Sequence, residues 1–90
     1  MKKASYLAIS KFVLRRLIDE HCFGGKQMTL ETISKFIPPE FERNKHMVKS
    51  VVLKMIAKDW LKTKSKHYGL HVWINPDKLD EIRTFVLSED

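Results

Sequence analysis

Residues 44–75 read NKHMVKSVVLKMIAKDWLKTKSKHYGLHVWIN, and the hydrophobic period changes once within them. At 100° per residue, Val48, Val51, Val52 and Met55 fall on one side of a helix, with His46, Lys49, Ser50, Ala57 and Lys58 on the other. The helical pattern stops at Asp59, a residue type that tolerates left-handed backbone better than most non-glycines. From there the chain alternates. Leu61 and Thr63 face one way and Lys62 and Lys64 the other; after a turn, Leu70, Val72 and Ile74 alternate with His71 and Trp73. This is a helix feeding a β-hairpin, and sharing one buried face among Leu61, Val72 and Ile74 fixes the parity of the pairing. The expected register sets Leu61 opposite Val72 and Lys62 opposite His71. Ser65, Lys66, His67 and Tyr68 then form a four-residue loop, with Gly69 free to take a positive φ.

Outward from this unit, a first helix is expected from an N-cap at Ser5 to about Cys22, burying Tyr6, Ile9, Val13, Leu14 and Leu17, with Gly24 and Gly25 stopping it. Lys26 to Met28 forms a short extended segment. Thr29 has the character of an N-cap for a second helix carrying Leu30, Ile33 and Phe36 inward, although Thr32 stands where a full capping box has Glu or Gln. Pro38 and Pro39 end that helix and push Ile37 out of the α region; the turn after them buries Phe41. At the other end, Asn75-Pro76 is a start signal with Asn75 as N-cap, and Leu79, Ile82, Phe85 and Val86 form the inner stripe of a last helix. No repeat or linker divides the chain, so residues 1–90 are read as one α+β domain.

The formal charge is +6, and it is unevenly distributed. From Arg43 to His67 there are eight basic residues and one acid, Asp59, whereas from Asn75 onward there are two basic residues and five acids. Concentration of positive charge on one helix and hairpin is the footprint of a polyanion-binding surface. A domain of 90 residues has little room for a deep enclosed pocket. It shows no glycine-rich phosphate loop, paired catalytic carboxylates or triad, so neither enzymatic activity nor a cofactor is expected. The single Cys22 forms no intramolecular disulfide and points to a reducing, cytoplasmic compartment. Its default role is that of a small apolar residue. His21 reads as a dipole partner at a helix end, and His67 and His71 lack the company a metal site needs. Lys11, Arg15 and Arg16 interrupt the apolar N-terminal run, which argues against a signal peptide, and no run is long enough to span a membrane.

The order helix, short strand, helix, helix, strand, strand, helix resembles the winged-helix branch of the helix-turn-helix proteins over nearly the whole chain. The residues carrying the resemblance are Thr29-Leu30-Glu31-Thr32-Ile33, the helix from Val48 to Ile56 ending in Lys58-Asp59-Trp60-Leu61, and the basic hairpin to Ile74. The resemblance implies three helices, a two-stranded hairpin wing and a C-terminal helix. It implies double-stranded DNA as partner, with the third helix in the major groove and the wing on the backbone. Arg43, Asn44, Lys45, His46, Lys49 and Ser50 would then face the groove, and Lys62, Lys64, Lys66 and His67 would form the wing. A small, nucleoid-associated transcription regulator, possible as a homodimer, follows as the expected function.

Lysines give sequence-independent phosphate attraction, whereas Asn44, His46 and Ser50 carry edges able to read bases. Asp59 departs from the glycine that often precedes the Trp-Leu pair in such domains. Leu53, at the edge of the exposed helix face, and Trp73, opposite the apolar strand positions, have the character of a protein interface instead. Docking of an acidic protein partner through Leu53, Trp73 and the wing is therefore the alternative. Trp60 is expected in the core.

Overall fold

The computed structural model describes residues 3–37, 45–67 and 69–88, with side chains from Leu7 in the first helix and from His46 in the third. Helix α1 spans Lys3–Asp19, strand β1 Met28–Thr29, helix α2 Leu30–Phe36, helix α3 Lys45–Ala57, strand β2 Leu61–Lys66 and strand β3 Gly69–Ile74. A single 3-10 turn, Pro76–Lys78, leads into helix α4, Leu79–Leu87. Among the described residues the fold is a small α+β arrangement of four helices and a three-stranded antiparallel sheet in the order β1-β3-β2.

The core is built from the stripes that periodicity marks. Ile9, Val13, Leu14 and Leu17 of α1 meet Val48, Val51, Val52 and Met55 of α3, with Leu61, Val72 and Ile74 of the sheet and Ile82 and Val86 of α4 closing the space. Helix α1 lies at the centre, against α3, α4 and β3. Phe41, Pro38, Pro39 and Tyr68 lie outside the described residues, as does the side chain of Tyr6.

Helix α1 begins and ends differently from expectation. It starts at Lys3, so Ser5 is inside its first turn and is not its cap. It ends at Asp19, and the residue that breaks it is His21, whose φ of 59° is left-handed. Cys22 N–H reaches back to Leu17 O at 2.9 Å and His21 N–H to Ile18 O at 3.0 Å, a Schellman arrangement that satisfies the terminal carbonyls without glycine. His21 Nδ1 also lies 3.1 Å from Asp19 O, so its place at the helix end is as expected. Gly24, at φ 123°, serves a later turn that lies beside the indole of Trp73.

Thr29 caps α2 by accepting the Thr32 N–H at 3.1 Å, and its hydroxyl donates to Thr32 Oγ1 at 2.9 Å. Thr29→Ala is expected to lower the unfolding free energy by about 1 kcal/mol, as a shift in the urea midpoint without a change in slope. At the other end of α2, Ile37 is extended (φ −72°, ψ 124°), as a residue before proline should be. Its neighbour Phe36 is half-buried under the Arg16 guanidinium, 3.9 Å from the ring centroid.

The hairpin keeps the expected parity but not the expected register. Leu61 pairs with Ile74, Lys62 with Trp73, Thr63 with Val72, Lys64 with His71, Ser65 with Leu70 and Lys66 with Gly69. The alignment has slid by two residues from Leu61–Val72, so the faces are unchanged, and Ser65 and Lys66 belong to the strand and not to a loop. Parity follows from burial, but a two-residue slip preserves burial, so only the turn distinguishes the two registers. Gly69, with φ 119°, closes the short turn. Met28 and Thr29 add to the far side of β3, pairing with Val72 and His71 and making the hairpin part of a three-stranded sheet.

Candidate nucleic-acid interface

Two elements carry the basic residues, and one junction sets them relative to each other. Helix α3 buries its valines and Met55, which turns His46, Lys49, Ser50, Leu53, Lys54, Ala57 and Lys58 to solvent. From Lys49 to Lys58 the exposed face extends about 13 Å at 1.5 Å per residue, with Lys49 at one edge and Lys54 and Lys58 toward the other. In β2 the inner positions start with buried Leu61, so Lys62, Lys64 and Lys66 occupy the opposite face, all exposed. At about 3.3 Å per residue, that row also covers about 13 Å. The corrected register matters here: Lys66 is a strand residue in line with Lys62 and Lys64, where a four-residue loop would have detached it from them.

The junction between the rows is Lys58-Asp59-Trp60. Asp59 takes a left-handed conformation at φ 66°; Trp60 N–H bonds Met55 O at 3.0 Å and Asp59 N–H bonds Ile56 O at 2.9 Å, which terminates α3 as His21 terminates α1. Trp60 turns inward, 7% exposed, with its indole N–H donating to Glu81 Oε2 at 2.7 Å and its ring 5.2 Å from that of Phe85. Lys58 Nζ covers the outer side of the indole at 5.0 Å from the ring centroid. Asn75 closes the junction from the far end of β3. Its side-chain amide donates to Asp59 O at 2.8 Å, its backbone N–H donates to Trp60 O at 2.9 Å, and its Oδ1 accepts the Asp77 N–H at 3.1 Å.

Of the residues expected at a groove, His46, Lys49 and Ser50 are exposed together on α3. Lys45 opens that helix, its side chain outside those described, and Arg43 and Asn44 lie outside the described residues. Lys64, Lys66 and His67 are exposed along β2 and at its turn. Lys62 is different, because its ammonium lies 2.8 Å from Asp59 Oδ1. Lys54 and Lys58 are exposed as well; helical spacing already places Lys58 on the outward side, and Lys54, four residues from both Ser50 and Lys58, belongs with it.

The two apolar outliers separate. Leu53 is 46% exposed, as the helical wheel requires. Trp73 is not an exposed residue: it is half-buried against the core, and a Cβ placed on Gly24 would sit 3.6 Å from its Nε1. The polypeptide after α1 covers it, with Ile74 N–H donating to Cys22 O at 2.8 Å. Cys22 itself is fully buried, and desolvation raises its thiol pKa above the ordinary value, so it packs as an apolar residue. Among the described residues no group of three His, Cys, Asp or Glu side chains comes together, and no helix is long and apolar enough to cross a membrane. No family model, curated protein or solved structure matches the chain.

Proposed function

We propose that this protein is a winged-helix domain that binds double-stranded DNA, with α3 in the major groove and the β2–β3 hairpin as a wing on the sugar-phosphate backbone. The observation that carries this reading is the set of exposed lysines on two adjoining elements, Lys49 and Lys54 on α3 with Lys58 just after it, and Lys62, Lys64 and Lys66 on β2, with Asp59 the one acid within that stretch. Lysines placed along two elements can neutralise successive phosphates, and the released counterions supply affinity without sequence preference. His46 and Ser50 on the outer face of α3 are suited to base edges. Lysines outnumber arginine in this stretch, which favours general duplex attraction over strong base readout. This is the chemistry of a nucleoid-associated protein or a small transcription regulator.

The test is fluorescence anisotropy of a labelled random-sequence duplex titrated with the full chain at two salt concentrations. Binding that weakens steeply as salt rises is the expected result. Absence of binding at low salt would assign the lysines to solvation. A second reading, docking of an acidic protein, is favoured by one observation, the exposed Leu53 within the basic face of α3. Trp73, the other residue of that reading, is half-buried beside the Gly24 turn.

A further inference from the structure

We infer that Asp59 is an internal competitor for phosphate: it holds Lys62, the first lysine of the wing, in an intramolecular ion pair and so restrains the affinity of the duplex-binding surface. The inference rests on the duplex-binding reading and concerns the regulation of that same surface. Three features support it. Asp59 is the one acid between Arg43 and His67. Its Oδ1 lies 2.8 Å from Lys62 Nζ, while Lys64 and Lys66 continue the same outward row beyond its reach along the strand. Its place is structurally determined, because its left-handed backbone ends α3 and its carbonyl is held by the buried Asn75.

The pair is in contact with water, with side-chain exposures of 47% for Lys62 and 56% for Asp59. A pair of this kind is weak, so a phosphate can compete with the carboxylate for Lys62 but must first displace it. Lys62, by hydrogen bond and charge, holds the Asp59 carboxyl below its ordinary pKa of 3.8, and desolvation opposes this only in part. A lowered carboxyl pKa keeps the pair charged at neutral pH, and the pair is lost only as pH falls through that lowered value. Duplex therefore meets a charged Asp59 carboxylate beside Lys62 at neutral pH.

Asp59→Asn removes the charge while retaining a residue type that adopts positive φ and can still accept from the Asn75 amide. Asp59→Gly removes the carboxyl altogether and suits the same backbone. Duplex anisotropy at two salt concentrations, with thermal unfolding as the control for folding, compares wild type, D59N, D59G, K62A and D59N/K62A. Either single substitution at Asp59 is expected to tighten binding roughly 3- to 10-fold near 0.1 M salt and to steepen the log–log salt slope by about 0.9, the value of one added phosphate contact. K62A is expected to stay within about two-fold of wild type, and D59N/K62A to return to it. A gain in D59N that survives in D59N/K62A would overturn the inference, since the acid would then act by general repulsion. So would a K62A loss as large as that of K64A, which would place Lys62 on phosphate already. Wild-type binding reports separately on the duplex reading: with none at low salt, both fail, and with binding but no D59N gain, only the competitor fails.

Discussion

Asn75→Ala is expected to lower the free energy of unfolding by about 2–4 kcal/mol, a large effect for a polar residue outside a catalytic site. Asn75 is 3% exposed, and its side chain acts in two ways, as acceptor to Asp77 N–H and as donor to Asp59, whose Oδ2 its amide also meets at 3.4 Å. Its Oδ1 caps the turn leading to α4 through Asp77 N–H, and loss of such a cap costs about 1 kcal/mol. Its amide N–H bonds Asp59 O, the carbonyl of the left-handed residue that follows α3. Deleting the donor leaves that acceptor without its buried partner, a further cost of about 1–3 kcal/mol.

Asn75→Asp separates the two contributions. Aspartate caps helices as well as asparagine does, but it cannot donate, and it would face the Asp59 carbonyl with a negative charge. Chemical denaturation with constant slope is the measurement. Stability of N75D close to wild type would mean that the bond to Asp59 contributes little, and loss close to that of N75A would assign most of the effect to the junction.

The second large effect concerns binding. Lys49→Ala combined with Lys64→Ala is expected to weaken binding to any duplex by roughly 10- to 100-fold near 0.1 M salt, and to flatten the log–log salt slope by about 0.9 for each lost contact. One lysine comes from each exposed row, so the pair tests whether α3 and the wing act on the same ligand. Both side chains are exposed, and the fold should be unaffected. Leu53→Ala in the same titration is the contrast. If duplex is the ligand, Leu53→Ala should leave the salt slope unchanged; if an acidic protein is the ligand, Leu53→Ala should cost about 1–4 kcal/mol in that complex. An unchanged salt slope in the lysine double variant would remove these two positions from the interface.

The amino-acid sequence by itself determined which faces are buried, where most elements lie and where charge gathers. Those properties are local or periodic. The valines of α3, the apolar stripe of α1, the Thr29 cap, the extended Ile37 before Pro38 and the left-handed Asp59 each follow from residue type and spacing over a few positions. The tertiary structure decided what periodicity leaves degenerate. The register Leu61–Ile74 and the register Leu61–Val72 bury the same side chains, so the choice came from the short turn before Gly69. Helix α1 ended at His21 because a backbone bond from Cys22 to Leu17 satisfied its carbonyls before any glycine was reached. Trp73 was partly covered by a turn nearly fifty residues away in the chain, and Lys62, within the wing's outward row, was paired with Asp59, whose carbonyl is held by Asn75. Spacing along the chain sets the side of an element on which a side chain lies. Contacts between residues distant in sequence set whether that side chain is free to meet a partner.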